Sequence, residues 1–124
     1  MAAKQKEPTT NEDLRDNNLQ ILLHTASALV AGKQRDLSMR QLAILLNCAQ
    51  SEGNQTVRGL AARLKISKPA ITRAADRLQE EGLATRRPDT SDRRSVFIVV
   101  TPKGRSFLRD VSRIMSATPS KAGA

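Results

Sequence analysis

A chain of 124 residues is the size of one domain and can bury a modest core, more comfortably as a dimer. Its only aromatics, Phe97 and Phe107, argue against an aromatic cage or a stacking platform for single strands, and one cysteine, Cys48, cannot form an internal disulfide. The formal charge of +9 is uneven: residues 1–50 hold 6 Lys+Arg against 5 Asp+Glu, whereas residues 51–124 hold 15 against 7. Such a basic half attracts polyphosphate or an anionic membrane without distinguishing them, so the choice falls to the pattern of elements.

Residues 1–9 are polar, contain Pro8 and lack a signal-peptide core, so they read as a flexible leader. Lys4 and Lys6 within it could touch a polyanionic partner, but solvated disorder is the expected state. No apolar run reaches the length of a membrane span, and with a lone cysteine this points to the cytosol and to no membrane partner. A first helix is expected over residues 11–31. Thr9 and Glu12 have capping-box spacing, Leu19, Leu22, Leu23, Ala26, Leu29 and Val30 form an apolar stripe, and Gly32 ends the run. At about 1.5 Å per residue it would be roughly 30 Å long, more than a small core needs. Part of its apolar face, including Ile21, is therefore expected to meet a second subunit. A second helix follows over residues 39–50, capped by Ser38 and Gln41, with Leu42, Leu45, Leu46 and Ala49 inward. Gly53-Asn54 breaks the chain, and Gln55-Thr56 is a minimal strand before the next helix, which Thr56 caps.

From Val57 the apolar spacing fits two short helices crossing at a steep angle. Leu60, Leu64, Ile66, Ile71 and Ala74 fall at the inward sites, with small Ala61 at the closest approach. Lys65 occupies the turn position that favours a left-handed glycine, a strain of about 1 to 2 kcal/mol for a residue with a Cβ. Ser67 caps the second of these helices, Pro69 sits in its first turn, Ile71, Ala74, Ala75 and Leu78 line one face, and Gly82 stops it. The opposite face is Lys68, Pro69, Thr72, Arg73, Asp76 and Arg77. Residues 83–87 and 95–100 then read as two strands, the second rich in β-branched and aromatic side chains. The loop between them, residues 88–94, holds Pro88, Asp89, Thr90, Ser91 and Asp92, and Arg86, Arg87, Arg93 and Arg94 flank or occupy it. A last helix opens with Thr101 as cap and Pro102 in its first turn, carries Phe107, Leu108, Val111, Ile114 and Met115 at helical spacing, and ends near Ser116.

The expected fold is mainly α (α+β): a winged helix-turn-helix with a small antiparallel β-hairpin wing, in the order ααβααββα. One domain is expected over residues 10–117, with the helix-turn-helix and wing in residues 56–101 and a flexible tail in residues 118–124.

The runs Leu60-Ala61-Ala62-Arg63-Leu64, Ser67-Lys68-Pro69-Ala70-Ile71-Thr72-Arg73, Leu78-Gln79-Glu80-Glu81-Gly82-Leu83, Arg86-Arg87-Pro88-Asp89 with Asp92-Arg93-Arg94, and Thr101-Pro102-Lys103-Gly104 resemble the MarR family of winged-helix transcriptional regulators. The resemblance covers roughly residues 37–111, and the order and spacing of its pieces make it specific. It implies that Arg94 enters a minor groove and that Asp92 braces it. It also implies a dimer. Family members carry a further long helix that interlocks with the partner, and this sequence ends before such a helix. Dimerisation is therefore expected to rest on the helices of residues 10–31 and 102–116, or else to be weaker. Small, often aromatic anionic effectors are common in the family; no set of residues here marks a pocket for one.

A helix fits the major groove, so Ser67, Lys68, Pro69, Thr72 and Arg73 are the expected base-reading surface, Arg being able to bridge guanine O6 and N7. Arg77, Arg86, Arg87 and Arg93 are expected phosphate contacts that set orientation, and Asp76 is expected to orient a neighbouring arginine. Cys48 lies on an apolar helix without a second cysteine or nearby histidine and reads as structural. His24 is the sole histidine, which speaks against a metal site, and no nucleophile is paired with a base, so neither a cofactor nor catalysis is expected. The sequence therefore points to a regulator of transcription, not an enzyme, binding double-stranded DNA as a homodimer on a pseudo-palindrome, by default as a repressor. The rival is a DNA-architectural or replication-associated winged helix with little sequence preference, which the +9 charge favours.

Overall fold

A computed structural model describes residues 14–33 and 36–119. The leader with Lys4 and Lys6, the Thr9–Glu12 capping pair and the tail beyond Pro119 lie outside the described residues. Among the described residues the elements are α1 (Asn17–Ala31), α2 (Met39–Gln50), β1 (Gln55–Thr56), α3 (Val57–Leu64), α4 (Lys68–Glu80), β2 (Ala84–Pro88), β3 (Val96–Val100) and α5 (Pro102–Ser116), in the expected order. The chain divides into two compact units, one of Met1–Gln34 with Val111–Ala124 and one of Arg35–Asp110.

In the first unit, α1 begins six residues later than expected. Leu14 to Asp16 lie outside the α-helix, and extended Asp16 caps it by accepting a hydrogen bond from the Leu19 N–H at 2.8 Å. At 15 residues the helix is about 22 Å long rather than 30 Å. Its face is also rotated from the expected one. Thr25 is buried, its hydroxyl donating to the Ile21 carbonyl at 2.7 Å, and Ile21, His24, Ala28 and Leu29 are half-buried. Leu19, Leu22, Leu23, Ala26 and Val30, most of the expected stripe, are exposed.

The second unit holds the main core: Ile44 and Leu45 of α2, Leu60 of α3, Ile71, Ala74, Ala75 and Leu78 of α4, Leu83 and Ala84, and Ile98 and Val100 of β3. Each fully buried Leu or Ile there contributes about 1.5 to 3 kcal/mol of transfer free energy. Helix α2 has its full capping box, with the Gln41 N–H on Ser38 Oγ at 3.1 Å and the Ser38 N–H on Gln41 Oε1 at 2.9 Å. Its inward residues are Ile44 and Leu45 with Cys48 packed beside them, whereas Leu46 and Ala49, expected inward, are exposed. Residues 42–46 are all apolar, so periodicity alone could not choose between adjacent faces of the helix.

The turn between α3 and α4 is as the sequence predicts. Thr56 accepts from the Gly59 N–H at 2.9 Å to start α3, and Lys65 is left-handed at φ 58° and ψ 41°, letting the Ile66 N–H reach the Ala61 carbonyl at 3.2 Å. Ser67 then accepts from the Ala70 N–H at 3.2 Å and opens α4. At the other end Gly82 has φ 76°, its N–H bonds the Gln79 carbonyl, and the Leu83 N–H bonds the Leu78 carbonyl, both at 2.9 Å. This is a Schellman motif, and its hydrophobic pair, Leu78 and Leu83, is fully buried.

Because Leu83 spends its N–H on that cap, leaving only its carbonyl to pair with the Thr101 N–H, β2 begins at Ala84, one residue later than expected. The sheet order is β1-β3-β2, all antiparallel, with Gln55 opposite Ile98, Ala84 opposite Val100 and Arg86 opposite Ile98. Helix α5 is pinned to the end of α4. The Thr101 hydroxyl accepts from the Gly104 N–H at 3.0 Å and donates to the Gly82 carbonyl at 2.5 Å, while Lys103 Nζ donates to the Glu81 carbonyl at 2.9 Å. Gly104 is required by contact: a Cβ there would stand 2.1 Å from the Leu83 carbonyl oxygen.

Candidate nucleic-acid interface

Two surfaces of the second unit carry the candidate residues. On α4, packing of Ile71, Ala74, Ala75 and Leu78 into the core leaves Lys68, Pro69, Thr72, Arg73, Asp76 and Arg77 exposed, and the cap Ser67 is exposed beside them. Arg77 lies 3.9 Å from Glu80, a solvated pair of small energetic weight. The guanidiniums of Arg73, Arg87, Arg93 and Arg94 and the ammonium of Lys68 are exposed, and none is held in an ion pair or side-chain hydrogen bond among the described residues.

The wing tip is two turns back to back. The Asp92 N–H bonds the Asp89 carbonyl at 3.2 Å, the Ser95 N–H bonds the Asp92 carbonyl at 2.9 Å, and the Asp89 N–H closes the hairpin on the Ser95 carbonyl at 3.1 Å. Each aspartate also holds the chain through its carboxylate. Asp89 accepts from the Ser91 N–H at 2.9 Å and hydroxyl at 2.7 Å; Asp92 accepts from the Arg94 N–H at 3.0 Å and the Ser95 hydroxyl at 3.1 Å. The two Ser91 hydrogen bonds hold the Asp89 carboxyl below its ordinary range. Asp92 therefore reaches Arg94 through its backbone N–H, leaving the Arg94 side chain outward. The Asp-x-Arg spacing in the sequence carries this signal, since an aspartate commonly bonds the N–H two residues on.

Arg86 stands apart from the other wing arginines. Strand alternation puts it on the face of β2 shared with buried Ala84, while Thr85 and Arg87 face the other way. Its Nη2 donates to the Asp76 carboxylate and, at 3.1 Å, to the Thr72 carbonyl of α4. Asp76 is paired with a neighbouring arginine, and that arginine is Arg86, also one of the expected phosphate contacts. Thr101, Lys103 and Gly104, visible in the sequence as a motif, form a latch between α4 and α5 that spacing alone does not reveal. Elsewhere, Cys48 is packed against the core, and burial pushes its thiol up to about 11, away from the thiolate needed for redox sensing. Among the described residues there is no group of three or more His, Cys, Asp or Glu able to hold a metal ion and no helix long and apolar enough to cross a membrane.

The second unit thus presents an exposed basic helix face and a hairpin with an arginine tip, and its fold is shared with known proteins. The MarR family profile matches residues 37–96. The transcriptional regulator BldR from Sulfolobus solfataricus is 30% identical, with 89% of this chain and 81% of that one covered at a TM-score of 0.59. The transcriptional regulator Tm0710 from Thermotoga maritima is 26% identical, covering 86% and 72% at 0.69. CouR from Rhodococcus jostii RHA1, whose structure holds p-coumaroyl-CoA, is 27% identical, covering 87% and 71% at 0.62. The chain belongs to the MarR family of winged-helix, DNA-binding transcriptional regulators.

Proposed function

We propose that this chain is a sequence-specific repressor that binds double-stranded DNA as a homodimer on a pseudo-palindromic operator. The observation that carries the reading is the outward row Lys68, Thr72 and Arg73 on a helix backed by the core, with Arg93 and Arg94 on the hairpin that follows it. The helix face is assigned to base edges in a major groove, Arg94 to the adjacent minor groove, and Arg77, Arg87 and Arg93 to phosphates. Two copies would place their α4 helices in successive major grooves about 10 base pairs apart.

A dimer is supported by α1, where Leu22, Leu23 and Val30 are 60%, 62% and 67% exposed on one apolar face. Apolar surface of this kind on a chain that works in water calls for a partner. The ligand held by the Rhodococcus relative makes a small organic anion the natural effector class to screen.

Selection from a random-sequence duplex pool, repeated at two salt concentrations, tests the reading. Convergence on a two-fold symmetric motif is expected. No convergence, with affinity collapsing steeply as salt rises, would replace it with an architectural DNA binder whose phosphate contacts dominate. Light scattering tests the dimer, and a monomer persisting at high concentration would remove it.

A further inference from the structure

We propose that Arg86 is a positioning residue that sets the pitch of the wing against α4 through Asp76 and Thr72, and does not contact phosphate. The inference rests on the reading of α4 and the wing as a duplex-binding surface. Three observations carry it. Arg86 is on the β2 face shared with buried Ala84, so its side chain starts toward the packed side of the hairpin rather than toward solvent like Arg87. One guanidinium nitrogen serves both the Asp76 carboxylate and the Thr72 carbonyl, four residues apart and thus stacked on the same side of α4. And Asp76 is the only carboxylate among the outward residues of the first nine positions of α4, otherwise Lys68, Pro69, Thr72 and Arg73.

A carboxylate facing a polyanion weakens attraction unless it does other work. Paired with Arg86 it adds no net charge and fastens the middle of the helix to the first strand of the wing. Were Arg86 to leave for a phosphate, Asp76 would be left uncompensated beside the DNA. The duplex must be met by helix and hairpin together, and a hinge between them would have to be ordered on binding. A brace made in the free protein removes that ordering cost and so acts on affinity and specificity without touching DNA.

The test uses the full chain with Asp76→Asn, Arg86→Gln and the double variant. Each is titrated against a duplex selected from a random pool by the wild type and against a mixed-sequence duplex, over a range of salt. Each single variant is expected to lose about tenfold in affinity for the selected duplex, and the double no more than the worse single. The preference for the selected over the mixed duplex falls, the steepness of the salt dependence is retained in Arg86→Gln, and the thermal midpoints stay in place because both side chains are substantially exposed.

Tighter binding by Asp76→Asn, the result that charge alone dictates, would overturn the brace. So would additive losses with an Arg86→Gln salt slope lower by about one, the mark of a lost phosphate contact. A midpoint drop matching the affinity loss would also overturn it, by making the pair a fold element only. A wild type without affinity for either duplex removes the DNA reading and the brace together. A wild type that binds, with an Asp76→Asn variant that binds tighter, removes the brace alone.

Discussion

Helix α4 and the wing tip present similar charges but are held by different forces. The outward side chains of α4 stand on a helix whose other face, Ile71, Ala74, Ala75 and Leu78, is sunk in the core. The tip stands on hydrogen bonds made by Asp89 and Asp92 in a loop where only Asp89 and Ser95 are even half-buried. Stability is therefore unequal across the two candidate surfaces, high under the helix face proposed to read base edges and low at the tip proposed to follow a groove. A reader whose contacts depend on fixed donor geometry gains from rigidity. An arm that senses groove width gains from being able to adjust.

The difference predicts separable damage. Leu78→Ala empties a fully buried site under α4 and should cost about 2 to 5 kcal/mol of stability, read as a lower urea midpoint, with DNA binding lost in proportion. Gly104→Ala should act on the same side of the comparison. Its Cβ meets the Leu83 carbonyl, and overpacking of this kind costs about 1 to 3 kcal/mol. Arg94→Ala should do the opposite: binding falls roughly tenfold while the midpoint stays where it was. Unchanged affinity of Arg94→Ala at physiological salt would sink its assignment to the minor groove, and a lowered midpoint would show that the tip is not as independent as its contacts imply.

Smaller than these is Lys65→Gly. Lys65 holds φ 58°, a conformation costing about 1 to 2 kcal/mol with a Cβ, and glycine removes that strain at some cost in unfolded-chain entropy. A net gain of up to about 1 kcal/mol is expected, with α4 and its side chains unmoved and DNA affinity retained. A loss of stability would mean that the lysine side chain contributes more to the turn than its exposed position suggests.

Legibility in the sequence follows the same division between local and distant causes. Caps and turns could be read because each signal sits within a few residues of its effect: Ser38 with Gln41, Thr56, Ser67, the left-handed Lys65, and Gly82. The register of α1 and α2 could not. Residues 42–46 are apolar on every side and Ile21-Leu22-Leu23 on more than one, so the buried face is chosen by what packs against it. The start of α1 differs from the expected one because Thr9 and Glu12 match a capping box while Asp16, nearer the helix, supplies the cap. Within the site, the exposed face of α4 was legible from the spacing of its buried residues. Arg86 was not, because four wing arginines look alike until strand alternation is combined with the position of α4 beside β2.

The smallest predicted effects use pH to pull the two regions apart from opposite ends. On the core side, an unfolded thiol ionises near 9.0 while buried Cys48 keeps its proton to about 11. Between those values the folded chain binds more protons than the unfolded one, so the contribution from Cys48 is intact below pH 9 and is lost as pH rises through about 11. The stability of Cys48→Ala should lack that component, and the difference between the two alkaline melting curves measures it. On the wing side the direction reverses. The Asp89 carboxyl ionises more readily in the folded hairpin than at its ordinary 3.8, so its bonds to Ser91 persist above that value and fail as pH falls through the lowered one. Because Asp89 lies at the surface, the loss should be local. Amide signals of the wing loop, Ser91 first, should shift and broaden in acid while those of α4 hold. If α4 and the loop opened at one common pH, the loop would have to be part of the same cooperative unit as the core, and the contrast between packed helix and hydrogen-bonded tip would fail.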